Sequence, residues 1–317
     1  MGFRERQILG KTGLTVCRLG VASSFGAPTE AFEEAFERGV NYFYWGSMRK
    51  TGMARAIRNL IAGGKRDDLV IVIQSYSRSA ALMELFYRKA LKALGIERAD
   101  IMLLGWHDKE PSARIMDRAM KMKDKGLFRF LGLSGHNRRL FPRLAKDDRF
   151  DLFHVRYNAA HRGAEQDIFE KMPQHNRPGL VTYTATRWGD LVRAKWMPPG
   201  EEPLRGADCY RFALSHPMVD VCITGPKNRE EMQEALAALD LGPPSGRKNW
   251  HASNGSGTMC MPALRGISFD SLFLRLTRLS LNIEVPSLSD LGASSGWRIV
   301  GMGPRQGFEN MLYTLWC

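Results

Sequence analysis

Short apolar segments alternate with longer amphipathic segments along most of the chain. The apolar segments lie at 18–22, 40–44, 69–74, 100–104, 130–134, 151–156, 180–184 and 219–223. Segment 69–74, which is almost entirely aliphatic, is typical of a strand with both faces buried. The pattern therefore predicts eight strands of a parallel sheet.

Helical periodicity fills the gaps between these strands. Helices are predicted at 30–39, 51–62, 79–94, 112–125, 208–215 and 229–239, with two more that end at 145 and begin at 164. Gly95 and Gly126 stand where two of them end, as glycine often does. Eight strand–helix units favour an α/β fold of the closed, TIM-type (β/α)8 barrel class, and an N-terminal β-hairpin around Lys11, Thr12 and Gly13 is expected before it.

The composition changes after Pro243 and Pro244. Residues 245–317 are rich in Ser and Gly and show no sustained period, although 269–281 and 310–316 are apolar. We therefore divide the chain into a barrel, 1–244, and an atypical C-terminal tail, 245–317, which is expected to be either out of frame or poorly ordered. Two origins of the tail stay open. It is a divergent extension, or it is translated out of frame, because codons compatible with 245–254 read as an acidic helix after a two-base shift.

Charge and cysteine usage exclude several classes of function. The net charge is +13, but the Lys and Arg residues are scattered and are not clustered with aromatics, so no nucleic-acid partner is expected. The five cysteines show no CxxC spacing, which fits a reducing cytoplasm. No secretory signal and no membrane span is expected, since no apolar run approaches the length that a bilayer requires. The histidines are too dispersed for a metal site.

Three motifs, taken in their order and spacing, resemble the aldo-keto reductases. Segment 39–47 (GVNYFYWGS) ends a strand in a polar turn, and segment 126–134 (GLFRFLGLS) leads into the fifth strand. Segment 222–232 (CITGPKNREEM) runs from a strand through a glycine turn into a helix. The resemblance covers residues 7–243. It implies a barrel enzyme that reduces carbonyl compounds by hydride transfer from a nicotinamide cofactor.

The resemblance also implies a catalytic Asp, Tyr, Lys and His, and none of them stands at its expected position. Tyr44 stands in place of the Asp, and segment 48–50 (MRK) holds no Tyr. Tyr76 stands in place of the Lys and Gly105 in place of the His. The strands that should carry the chemistry are therefore present, and their catalytic side chains are replaced.

Three interpretations of this replacement stay open. In the first, the site is rebuilt, with Tyr44 or Tyr76 as the proton donor and Arg49, Lys50 or His107 as electrostatic support, because all lie at the strand ends where barrel active sites occur. In the second, the chain binds a nucleotide or metabolite without turnover. In the third, it is a folded relic, or a non-native product if the tail is out of frame.

The cofactor positions implied by the resemblance are better kept at the last helix. Lys227 and Asn228 match residues that hold the 2′-phosphate of NADP, and Arg229 is expected to help, since helix starts and basic side chains suit phosphate. Ala235 replaces an Asn that contacts adenine. The alternative is that Lys227 and Arg229 are an ordinary solvated helix start.

The nicotinamide end is only partly kept. Tyr183 matches the aromatic residue that stacks on nicotinamide, and Ser134 matches a carboxamide contact whose partner Asn is Gly135 here. His154 stands in place of a Gln and is expected to bond an amide.

Together these features predict an atypical NADP-dependent oxidoreductase that acts on a small carbonyl substrate. The alternative is a catalytically inactive, nucleotide- or metabolite-binding member of the same superfamily. A monomer is expected.

Overall fold

A computed structural model describes residues 2–46, 51–197 and 202–244. Its strands are β1 Gln7–Ile8, β2 Thr15–Val16, β3 Leu19–Ala22, β4 Tyr42–Trp45, β5 Val70–Ser75, β6 Ala99–Leu104, β7 Phe128–Ser134, β8 Leu152–Arg156, β9 Gly179–Tyr183 and β10 Val221–Thr224. Its helices are α1 Thr29–Glu37, α2 Thr51–Ala62, α3 Ala80–Leu94, α4 Ala113–Asp124, α5 Leu140–Leu144, α6 Ala164–Asp167, α7 Gly206–Leu214 and α8 Arg229–Leu241.

Strands β3 to β10 close into a parallel barrel in which β10 pairs with β3. Every strand pairs with its neighbours in chain order, and β1 and β2 form a separate antiparallel hairpin. The predicted TIM-type (β/α)8 barrel with an N-terminal hairpin is confirmed. The sixth helix is shorter than a barrel helix usually is, because the segment after it holds turn-forming residues such as Pro173 and Pro178. The tail at 245–317, with its two open origins, lies outside the described residues.

The hairpin covers the N-terminal end of the barrel. Leu9, Leu14 and Val16 join the side chains that fill the barrel interior. The Lys11 N–H donates to the carbonyl oxygen of Arg177 at 2.9 Å. Gly10 has a φ of +46° and approaches the backbone of Gly179 so closely that a Cβ would not fit. Glycine is therefore required where the hairpin meets β9.

Four polar side chains occupy equivalent places at the N-terminal ends of alternate barrel strands. Each accepts a backbone N–H from the preceding strand or, for Asn41, from the residue that leads into it: Asn41 from Cys17 at 2.8 Å, Asp100 from Ile71 at 2.9 Å, Asp151 from Leu131 at 2.8 Å and Asp220 from Leu180 at 2.8 Å. Buried backbone donors must be satisfied, and a one-residue slip of any strand would break these bonds. The four side chains therefore fix the register at this end of the barrel.

Basic side chains compensate the buried carboxylates of this group. Arg177 makes a two-pronged ion pair with Asp220, with nitrogen–oxygen distances of 2.8 and 2.7 Å. Arg66 lies 3.1 Å from Asp100, and Lys123 lies 3.2 Å from Asp151. The Asp220 side chain is only 5% exposed, so its pair with Arg177 is almost dry.

We expect Asp220→Asn to lower the free energy of unfolding by about 2–4 kcal/mol, because it leaves the guanidinium of Arg177 without its counter-charge. The matched control is Glu110→Gln, which breaks an ion pair with Arg143 whose side chains are 60% and 73% exposed. This control should change stability by under about 0.5 kcal/mol. Urea unfolding of both variants measures the difference, and equal values would contradict the role given to Asp220.

Candidate active site

The C-terminal ends of the barrel strands bring a group of aromatic and polar side chains to one opening, here called the mouth. Tyr44 lies in β4, Tyr76 directly follows β5, and Ser134, Arg156 and Tyr183 end β7, β8 and β9. Parallel strands present their carboxyl ends on the same side, so these side chains lie together. Two of the predicted catalytic residues and two of the predicted cofactor residues belong to this group.

Tyr44, Gln74 and Tyr76 form a bonded chain at the mouth. The Tyr44 hydroxyl donates to Oε1 of Gln74, and the hydroxyls of Tyr44 and Tyr76 are in hydrogen-bonding contact. Burial raises the pKa of Tyr44 well above its usual value, and the neighbouring tyrosine Tyr76 raises it further. Tyr44 is therefore a neutral hydroxyl at physiological pH.

Gly105 makes the room that this chain occupies. A Cβ at this position would overlap the Gln74 amide and lie 2.9 Å from Cδ1 of the Tyr76 ring. Trp106 follows with a φ of +55°, and its ring meets that of Tyr76 edge-on, with centroids 5.5 Å apart. Any side chain at position 105 would therefore clash with Gln74 and Tyr76 where they now lie.

His107 is buried and supplies no positive charge. Its side chain is 6% exposed, and no described residue bonds its Nε2 atom. Burial lowers the pKa of His107 to about 3, helped by the positive charge of Arg78. This pKa makes the imidazole neutral at physiological pH, and the expected electrostatic support by His107 stays a prediction.

His154 lies inside the barrel, one layer below the mouth. Its Nε2 atom is 2.8 Å from the Tyr42 hydroxyl, and its ring centroid is 5.5 Å from that of Tyr44. Burial lowers the pKa of His154 to about 3. This neutral imidazole is already bonded, so its expected contact with a cofactor amide competes with Tyr42.

Tyr183 and Ser134 line the opposite side of the mouth. The Tyr183 hydroxyl donates to the carbonyl oxygen of Gly135 at 3.3 Å, and its ring meets that of His136 edge-on, with centroids 6.5 Å apart. The Ser134 hydroxyl oxygen accepts the N–H of Trp106 at 3.1 Å, which leaves its own hydrogen available as a donor. A Cβ at Gly135 would overlap the His107 carbonyl, so this backbone cannot hold an Asn there.

The predicted phosphate residues stand at the start of α8, each with a partner. Asn228 is the N-cap, and its Oδ1 accepts the N–H of Glu231 at 2.9 Å. Lys227 lies 3.7 Å from the Glu231 carboxylate, and Arg229 pairs with Glu34 at 2.7 Å. These ion pairs are exposed and hence weak, so a phosphate could replace them. The residues fit a phosphate once the two pairs open.

The turn after β9 is strained, and no sequence motif marks it. Thr184, Arg187 and Trp188 have φ values of +60°, +52° and +56°, which are costly for residues other than glycine. Such strain clusters at functional sites. The turn holds the Trp188 ring 5.9 Å from the guanidinium carbon of Arg156, another mouth residue that was missed. The sequence signal that could have identified Arg156 is its position two residues after His154 on the same strand, because such side chains share a face.

Arg49 was also expected in the site, but residues 47–50 lie outside the described part of the chain. A groove of about 1150 Å³ opens on the opposite, N-terminal face of the barrel. Four of its basic side chains are already paired, Arg66 and Arg129 with Asp100, and Arg88 and Lys125 with Glu84. We therefore take the mouth as the candidate site.

Comparison with known proteins assigns the family. The model of the aldo/keto reductase family matches residues 23–198, which is more than half of the chain. The chain belongs to the aldo-keto reductase family. No curated protein sequence matches it.

Solved structures are similar to this aldo-keto reductase in fold. The holo form of aldo-keto reductase AKR11C1 from Bacillus halodurans has a TM-score of 0.63 at 16% identity, over 76% of this chain and 92% of that one. A Pseudomonas aeruginosa protein assigned to the aldo-keto reductases has a TM-score of 0.59 at 20% identity, over 74% of this chain and 94% of that one. At these identities the likeness shows the barrel alone.

Membership of the family implies an oxidoreductase with a small-molecule substrate. Within the described ranges no helix of this aldo-keto reductase is long and apolar enough to cross a membrane. The same ranges contain no group of three His, Cys, Asp or Glu residues that could hold a metal ion.

We expect Gly105→Ala to destabilise this aldo-keto reductase by about 1–3 kcal/mol, because the new methyl group overlaps the anchored Gln74 amide. Gln74→Ala should remove most of that cost, so the double variant should be more stable than the sum of the single effects. Gly63→Ala, where the nearest atom is 3.4 Å away, is the control. Urea unfolding of the four variants tests this, and strict additivity of the Gly105 and Gln74 effects would contradict the coupling.

We expect the stability to fall as the pH drops from about 6.5 towards 4. The pKa of His154 is about 3 in the folded chain and near 6.5 when unfolded, so the unfolded state binds more protons in this window. His154→Gln, which keeps an acceptor for Tyr42, should reduce the loss by about 1 kcal/mol per pH unit. His175→Gln, at an exposed site, is the control. An unchanged slope in His154→Gln, measured by urea unfolding at several pH values, would contradict this.

Proposed function

We propose that this aldo-keto reductase reduces a small carbonyl compound with NADPH and that Tyr76 donates the proton. The observation that carries the proposal is the bonded pair of hydroxyls, Tyr44 and Tyr76, at the C-terminal ends of adjacent strands. These are the two positions that the family resemblance gives to a catalytic Asp and Lys. A proton donor is thus kept at the mouth although the usual tyrosine is lost.

Tyr76 is a better donor than Tyr44 because of its support. As the Tyr76 proton leaves, negative charge develops on its oxygen. A hydrogen bond from the Tyr44 hydroxyl stabilises that charge once the single Tyr44 hydrogen turns from Oε1 of Gln74 to the Tyr76 oxygen. The ring of Trp106 holds the Tyr76 ring in place.

The residues that would hold NADPH lie on both sides of the mouth. Lys227, Arg229 and the backbone N–H groups at the start of α8 suit its 2′-phosphate. Tyr183 offers a ring face for nicotinamide, and Ser134 offers a hydroxyl for the carboxamide. Hydride donation is the chemistry that the bound nicotinamide supplies.

A second candidate is binding without turnover. It is favoured by the raised pKa of Tyr44, which lies in a site where neither described histidine, His107 nor His154, is charged. A phenol whose pKa is raised is a weaker proton donor. The two candidates share the cofactor site and differ only in chemistry.

Two steps separate the candidates. NADPH is first titrated into the protein and followed by fluorescence quenching, which both candidates require. NADPH consumption over a panel of small aldehydes and ketones is then compared in the wild type, Tyr76→Phe, Tyr44→Phe and Tyr87→Phe. Tyr87 is buried outside the barrel against Phe128 and is the control.

Loss of the Tyr76 hydroxyl should lower kcat by about 10²- to 10⁴-fold while NADPH affinity stays unchanged. Tyr44→Phe should have a smaller effect and Tyr87→Phe none. NADPH binding without consumption in the wild type would favour the second candidate. No binding would exclude both, and equal rates in wild type and Tyr76→Phe would remove Tyr76 from the mechanism.

A further inference from the structure

Arg156 ends β8 and points into the mouth. His154, two residues earlier, lies inside the barrel against Tyr42 and Tyr44. Side chains two residues apart on a strand share a face, so Arg156 projects to the same side, one layer nearer the opening. In the strand register Arg156 is paired with Tyr183. The guanidinium is therefore beside the reacting end of the site.

The positive charge of Arg156 shifts the pKa of three groups around it. Burial lowers the pKa of His136 and, to about 4, that of His161, and in both the positive charge of Arg156 is the next largest cause. Burial raises the pKa of Tyr183, and Arg156 opposes that rise. Asp108 acts on His136 in the other direction and more weakly. The surroundings of Arg156 thus carry an excess of positive potential.

Within the described part of the chain, no carboxylate lies at ion-pair distance from Arg156. Three acids of the mouth loops are committed elsewhere. Asp108 accepts the backbone N–H groups of His136 and Asn137, Asp167 pairs with Arg138 at 2.7 Å, and Asp190 lies 3.8 Å from Arg187. A half-buried guanidinium without a counter-charge is unfavourable unless a ligand supplies one. This site is therefore prepared for an anion.

The strained turn after β9 forms one wall of the anion site at Arg156. Trp188, with a φ of +56°, lies over the Arg156 guanidinium and is 44% exposed. A cation–π contact of this kind restricts the orientation of the guanidinium, whose planar fork suits two-pronged recognition of a carboxylate or phosphate. The strain is thus explained if the turn orients Arg156.

We propose that Arg156 binds the carboxylate or phosphate group of an anionic carbonyl substrate, with Trp188 and His161 as the walls of the subsite. The inference rests on the proposed function and names its substrate class. A phosphate of the cofactor is the less suitable occupant. The residues that suit its 2′-phosphate follow β10, whereas Arg156 lies beside Tyr183, where nicotinamide is expected.

The test compares matched carbonyl compounds with and without an anionic group. The pairs are 4-formylbenzoate with 4-formylbenzamide, and glyceraldehyde 3-phosphate with glyceraldehyde. The dissociation constant by calorimetry and kcat/KM by NADPH consumption are measured for the wild type, Arg156→Gln, Arg156→Lys and Arg88→Gln. Arg88, on α3 and paired with Glu84, is the charge-matched control.

The wild type should bind at least one anionic compound about 10- to 100-fold more tightly than its neutral partner. Arg156→Gln should abolish the preference, Arg156→Lys should keep part of it, and Arg88→Gln should keep all of it. The selectivity of the wild type is informative even if a variant fails to fold. The pair of compounds that shows this selectivity identifies the preferred anionic group as a carboxylate or a phosphate.

Other outcomes separate the inference from the proposed function. Anion-selective binding that depends on Arg156, without NADPH consumption, upholds the subsite and contradicts carbonyl reduction. NADPH consumption at equal rates for anionic and neutral compounds upholds reduction and overturns the subsite. An Arg156→Gln variant that loses NADPH affinity as strongly as anion affinity would assign Arg156 to the cofactor and also overturn the inference.

Discussion

The hydrogen bonds at the N-terminal ends of alternate barrel strands are the constraint on which the rest of the structure depends. Asn41, Asp100, Asp151 and Asp220 each tie the start of one strand to the backbone of the strand before it. In a closed barrel, a shift of one strand moves the side chains of every residue on it to the other face. These bonds therefore decide which residues reach the mouth at the opposite end, and the mouth can change its side chains without loss of the fold.

The positions that the family resemblance gives to the catalytic Asp, Lys and His are coupled to one another in space. The missing side chain at Gly105 leaves the volume that Gln74 and Tyr76 occupy, and Gln74 in turn holds Tyr44. Restoring a histidine at 105 alone would displace the other members. Three of the positions that the resemblance gives to catalytic residues, 44, 76 and 105, thus form one packed unit with Gln74. The start of α8 is not packed in this way, because Lys227 and Arg229 are held only by exposed ion pairs with Glu231 and Glu34.

The barrel was predictable because its signals are local. Aliphatic runs such as Val70–Ser75 and helix ends such as Gly95 depend only on nearby residues, and their order implies the topology. The state of the site residues depends on neighbours that are distant in sequence. The sequence placed His107 and His154 at the correct strands, but burial, which decides that both are neutral, follows from packing alone. The strain at Thr184 and Trp188 also has no sequence signature, since neither is a glycine.

The most direct test of the central claim is a crystal structure of the full chain with NADP⁺ and 4-formylbenzoate. The claim is that the mouth is a working site rebuilt around Tyr76. It predicts that the aldehyde oxygen lies within about 3 Å of the Tyr76 hydroxyl, with the carboxylate on Arg156. A mouth in which the aldehyde oxygen contacts neither the Tyr76 nor the Tyr44 hydroxyl, with cofactor bound, would contradict it.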